Sequence, residues 1–305
     1  MNAAIRAVVR AALGRGASVV GFIHGYDGLV EPEYIEMTSQ SVGGIIGSGG
    51  TKLRTGRSDR FRKPEGRAAA MKHLRELGVE GLVVIGGDGS LHGALELHRE
   101  HGFPVVGVPG SIDNDIPGTE YSIGFDTAVN TALGAIDRVR DTAYSHERVF
   151  VIEVMGRRNG FIAIESGLAG GAEAILIPEL PYSLLDVCGQ LRSAADRGKR
   201  SSIIIVAEGA ARADEVRQFI QDNTGFETRY LVLGHAQRGG SPTAFDRVLA
   251  LRLGAHAANR LIDGAECELA GVQGGMLVSP PLTEVLAERR AVDEARLILA
   301  QVMAL

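Results

Sequence analysis

The hydrophobic pattern of this chain switches repeatedly between two periods. Short apolar runs bounded by glycine or polar residues predict strands at 18–23 (SVVGFI), 81–85 (GLVVI), 105–108 (VVGV), 148–154 (RVFVIEV), 174–177, 202–207 (SIIIVA) and 228–233. Between them, apolar positions at helical spacing predict helices over 65–77, 91–101, 127–144, 183–197, 213–223 and 244–263. At the amino end Ala3, Ile5, Val8, Val9 and Ala12 share one helical face, which runs out near Gly14 and Gly16. Strands alternating with helices predict an α/β chain with mainly parallel sheets covered on both faces. The strand–turn–helix scheme occurs in two series, which predicts two similar αβα, Rossmann-like lobes with a cleft between them. From Glu284 onward the chain turns charged and amphipathic and predicts a solvated helix.

A length of 305 residues allows a large core or two domains. Apolar content of 45% and charged content of 23% are those of a soluble globular chain. The net charge of −5, without a long basic block, argues against nucleic acid as a partner. It does not bear on phosphate ligands, which local arginines can bind. No run reaches the length of a membrane span. Cys188 and Cys267 stand far apart without metal-ligand spacing and read as reduced, structural thiols of a cytosolic protein. Arg6, Arg10 and Arg15 precede any acidic residue, as in an organelle transit peptide. The segment lacks that peptide's serine richness, and its apolar face reads as structure.

Candidate chemistry lies at strand ends. After the run at 81–85 comes Gly86-Gly87-Asp88-Gly89-Ser90, then a helix. A glycine turn at a helix start binds anions, because free backbone N–H groups point at the ligand and the dipole favours negative charge. Ser90 is the expected N-cap. Asp88 would repel a phosphate unless a cation lay between them, which points to Mg²⁺. About twenty residues on, a second strand ends in an acidic loop, Asp113-Asn114-Asp115, framed by Pro109-Gly110 and Pro117-Gly118. Two carboxylates one residue apart can supply a base and a metal or water contact, or form a plain acidic turn. The strand at 148–154 meets Met155-Gly156-Arg157-Arg158-Asn159-Gly160, the same scheme with arginine in place of aspartate. Lys52, Arg54 and Arg57 in a glycine-rich run are candidate phosphate contacts. Tyr26 is either loop packing or an aromatic wall for a nucleotide base. His235 is either a buried structural histidine or a ligand beside Arg238; His98 and His101 read as structural.

GGDGS followed by PGSIDND resembles the ATP-dependent 6-phosphofructokinase family, and the resemblance runs from Met1 to about Gly275. It implies two lobes, residues 1–123 plus about 237–288 for the nucleotide and 124–236 plus about 289–305 for the sugar phosphate, with the active site in the cleft between them. It implies phosphoryl transfer from ATP to the 1-hydroxyl of fructose 6-phosphate, with Asp113 as base and Arg157 on the transferring phosphate. Ser111, Asp113, Asp115, Met155, Gly156, Arg157 and Glu208 would bind the sugar. Arg148, Arg229, His235 and Arg238 would bind its phosphate, with Arg148 and Arg229 donated across a subunit interface. Gly87, Asp88, Gly89, Ser90, Arg57 and Tyr26 would hold ATP, and Asp88 the Mg²⁺. A cytoplasmic homo-oligomer, dimer or tetramer, follows from the same resemblance.

Glycine at Gly89 and at Gly110 marks the ATP type, since pyrophosphate users usually carry aspartate and lysine there. The alternatives are a pyrophosphate-dependent enzyme and a catalytically weak regulatory or assembly subunit. Arg6, Arg10, Glu173 and Lys199 match the family's effector site, but Ser48 replaces an expected arginine. Family chains also place a strand and a glycine turn directly before MNAAIR, where this sequence has Met1. The expectation is a start misplaced by roughly twenty residues, with an impaired protein as the alternative.

Overall fold

The structure, a computed structural model, describes residues 1–146 and 148–303. The chain divides into two compact units. The first comprises Met1–Ser111, Ile116–Gly124 and Gly239–Arg290; the second comprises Ile112–Asp115, Phe125–Arg238 and Ala291–Leu305. The main departure from the expected division is Ile112–Asp115; Gln237 and Arg238 also fall in the second unit, and Gly124 in the first. The Ile112–Asp115 loop belongs with the second unit, where Asp113 pairs with Arg157.

In the first unit, Leu82–Gly86, Val105–Pro109 and Cys267–Leu269 form a parallel sheet with Val105–Pro109 in the middle. The middle strand is buried at every position, as a parallel strand covered on both faces must be. Its alternate residues feed two cores: Val105 packs with Leu74, Leu91 and Leu97, while Val106 and Val108 pack with Ala4, Leu249 and Leu253. Gly107 lets helix and sheet approach closely: a Cβ would stand 2.6 Å from Leu91 Cδ2, which would have to shift. Helices Asn2–Gly14, Asp88–His101 and Ala244–Ile262 supply the cover. Val20–Phe22 pairs antiparallel with Tyr34–Glu36 and is shorter than predicted. A cavity of about 800 Å³ is lined by Val20–Phe22 on one side and by Leu82, Val83, Val84 and Ile85 on another. Residues Tyr26–Val30, expected as a loop, form one helical turn.

In the second unit, Ala174–Leu176, Ser202–Ala207, Val149–Val154 and Thr228–Val232 form an all-parallel sheet in that spatial order. Ile203, Ile204 and Ile205 on the strand Ser202–Ala207 are among the largest fully buried side chains, each contributing about 1.5–3 kcal/mol of burial. Helix Leu184–Asp196 starts where the Ser183 hydroxyl accepts the Asp186 N–H at 3.2 Å. The tail breaks into a short helix, Leu282–Val285, and a second, Glu294–Met303. Both cysteines are free thiols, and burial pushes Cys267 up to about 11. Among the described residues, no helix is long and apolar enough to cross a membrane.

Candidate active site

The glycine turn of the first unit is fixed by its neighbour strand. Gly110 N–H donates to Gly86 C=O at 2.8 Å, and a Cβ on Gly87 would stand 3.7 Å from Ser111 Cβ. The helix begins at Asp88 with Gly87 as N-cap, so Ser90 is not the cap; its N–H is spent on Gly87 C=O at 2.9 Å. Glycine displaces serine because the chain must tighten before the serine is reached. A Cβ on Gly89 would meet nothing within 4 Å, so open space lies beside the helix start. Asp88 is exposed, its carboxylate 3.2 Å from His92 Nδ1. Among the described residues, no group of three or more His, Cys, Asp or Glu could cage a metal. A lone carboxylate at an anion-binding helix start fits Mg²⁺, which is held by one or two carboxylates plus substrate phosphates.

The Tyr26 ring stacks on Phe61 with centroids 3.9 Å apart, and its hydroxyl donates to Ser90 C=O at 2.5 Å. The ring thus packs against the glycine turn and lines the cavity of the first unit. Arg57 is exposed. Lys52 instead donates to Ser41 C=O, and Arg54 lies 3.5 Å from His24 Nε2.

The arginine turn of the second unit is built differently. Met155 N–H donates to Gln237 Oε1 at 2.8 Å, and Gly156 and Arg157 N–H donate to Glu208 Oε1 at 3.2 and 2.7 Å. Gly209 lets the Glu208 strand end approach, since a Cβ there would stand 2.2 Å from Arg157 C=O. Gly156 has φ +146, and Arg157 itself sits at φ +54, where few residues other than glycine rest. Arg157 Nε then lies 3.3 Å from Asp113 Oδ2. Asp113 is buried, and Asn114 beside it has φ +52. Strain of this kind persists only where surrounding contacts over-determine it, and it gathers at functional sites. Burial raises the Asp113 carboxyl above the usual range and Asp115 adds to this; Arg157 and Arg238 pull against it, and Glu208 again raises it.

The remaining expected residues divide clearly. Arg148 and Arg229 are brought together by Glu227, at 2.9 and 2.8 Å, and they hold its carboxyl below the usual range. His235 is exposed in the short turn Gly234–Gln237, so the buried-histidine alternative falls; Arg238 is exposed beside it. Met155 is buried, which leaves its backbone rather than its side chain for the turn. Of the expected effector residues, Lys199 pairs with Glu173 at 2.7 Å, Arg6 donates to Val42 C=O at 2.7 Å and Arg10 is exposed. Gln237 was missed by sequence reasoning. Its only signal was a polar residue between two candidate ligands.

The chain matches the phosphofructokinase family model over residues 1–261. It is 54% identical over 293 residues to the ATP-dependent 6-phosphofructokinase of Bacillus velezensis, covering 96% of this chain and 92% of that one. It is 53% identical over 301 residues to that of Bacillus licheniformis, covering 99% and 94%. The crystal structure of Pichia pastoris phosphofructokinase in the T-state superposes with a TM-score of 0.88 at 35% identity, covering 94% of this chain and 36% of that one.

Proposed function

Because this chain belongs to the phosphofructokinase family, we propose that it transfers the terminal phosphoryl group of ATP to the 1-hydroxyl of fructose 6-phosphate. The observation that carries the residue assignment is the buried Asp113 carboxylate facing Arg157. Asp113 accepts the hydroxyl proton, and its raised basicity suits that task. Arg157 offsets negative charge on the transferring oxygens. The helix start holds the nucleotide phosphates through the backbone N–H groups of Asp88 and Gly89, which precede the first amide taken up by the helix, that of Ser90. Mg²⁺, carried by the nucleotide against Asp88, supplies charge neutralisation of the phosphate oxygens. His235 and Arg238 bind the sugar phosphate, where a planar guanidinium can make two bonds. Arg148 and Arg229 serve a site in a neighbouring copy within a homo-oligomer. Open space at Gly89 favours ATP over pyrophosphate as donor. Steady-state rates with fructose 6-phosphate decide the matter. Turnover with ATP should exceed turnover with pyrophosphate by at least tenfold, and the reverse order would sink the reading.

A further inference from the structure

Gln237 is 1% exposed, between two exposed residues that the proposed function puts on the sugar phosphate. A polar side chain in such a place opposes folding unless its hydrogen bonds are made. Its Oε1 accepts the Met155 N–H at 2.8 Å, while its Nε2 finds no partner among the described residues. An apolar side chain would avoid the unmatched Nε2 but would leave the buried Met155 N–H without its acceptor. What the amide contributes is the bond its oxygen makes.

That bond acts on one object. Three successive N–H groups, of Met155, Gly156 and Arg157, are all taken by side chains, the first by Gln237 and the next two by Glu208. Among the described residues these three N–H groups have no strand partner, so the two acceptors, with the Asn159 N–H to Gly156 C=O bond at 2.9 Å, set the path of the turn. The third residue of the turn carries the positive φ and the guanidinium that meets Asp113. We infer that Gln237 is a positioning residue for phosphoryl transfer, its buried amide oxygen setting the Met155–Arg157 turn and so aiming the Arg157 guanidinium. It ties the loop of His235 and Arg238 to that turn, so sugar-phosphate binding and arginine alignment share one strut. Misplacement of a reacting group by about 1 Å can cost on the order of 10²-fold in rate. One bond at the root of the turn is enough to cause that.

The inference rests on the proposed role of Arg157, and a double-mutant cycle separates the two. Gln237→Met keeps length and volume and removes the acceptor. We expect kcat to fall about 10²-fold, with the KM for ATP within about twofold of the parent. The acid limb of the kcat profile should move to higher pH, because Asp113, which also faces Asp115, Glu208 and Arg238, loses the counter-charge of a well-aimed Arg157. In an Arg157→Ala background the same Gln237→Met change should alter kcat by less than about threefold. A Gln237→Met enzyme that keeps a third or more of its kcat, or that loses the same factor with and without Arg157, overturns the inference. If Arg157→Ala alone leaves kcat intact, the role of Arg157 falls and takes this inference with it. Should Gln237→Met fail to melt cooperatively, Gln237→Asn goes through the same cycle. It stays polar but is one methylene too short to reach Met155, and the same outcomes decide.

Discussion

In the first unit, the turn after Leu82–Gly86 runs directly into a helix at Asp88; in the second, the turn after Val149–Val154 wanders through Arg157 before Phe161 begins a helix. The first turn commits little of its main chain, with Gly110 pinning its base and the helix start facing open space at Gly89. The second commits three N–H groups in a row to Gln237 and Glu208. A turn whose amides are free binds anions through backbone; one whose amides are spent must act through its side chain. The same strand–turn–helix plan thus yields a helix start facing open space in one unit, suited to the proposed phosphate contact, and a hydrogen-bonded mount for a guanidinium in the other.

The largest expected effect tests what the mounted guanidinium faces. Asp113→Asn keeps size and removes the base, so kcat should fall about 10²–10⁴-fold. Burial and Asp115 raise the Asp113 carboxyl, and only its ionised form accepts a proton. The parent's acid limb should therefore sit above the usual aspartate range and vanish in the variant. Near-normal turnover in folded Asp113→Asn protein would move the chemistry elsewhere.

The proposed phosphate contact is tested at Gly89. Nothing in the protein lies within 4 Å of a Cβ there, so Gly89→Asp should fold as the parent does. A new carboxylate within reach of the nucleotide should lower kcat/KM for ATP by about 10²–10³-fold, the scale of one like-charge contact at intermediate dielectric. Turnover with pyrophosphate should drop far less. Equal ATP use by variant and parent would show that the open space is not where the nucleotide sits.

The smallest effect concerns Arg148 and Arg229, which converge on Glu227 rather than on the arginine turn. Mixing inactive Arg229→Ala with inactive Asp113→Ala chains should restore a fraction of parent activity, because a hybrid site joins two intact halves. Silence in the mixture, with subunit exchange shown by native mass spectrometry, would place each site within one chain.

Much of this was readable in the sequence because it is local. The run SIIIVA marked Ser202–Ala207 to the residue, and the glycines at 86–89 marked a helix start to within three residues. What escaped depends on partners distant along the chain. Cys267–Leu269 is three residues long and is a strand only because Val105–Pro109 offers it a ladder. Tyr26 stands in a loop-like stretch, yet Phe61 claims its ring. Glu208 could be placed at a strand end, but its use by two amides of the arginine turn requires that strand to lie beside Val149–Val154. Gln237 looked like any polar residue in a polar loop until its burial was known.

Arg157 holds φ +54 on the turn that carries its guanidinium. A side-chain-bearing residue in that region costs on the order of 1–3 kcal/mol. Arg157→Gly would relax that backbone and remove the guanidinium in one step. Stability and chemistry therefore pull in opposite directions at this residue, and selecting variants for heat resistance alone would tend to discard it.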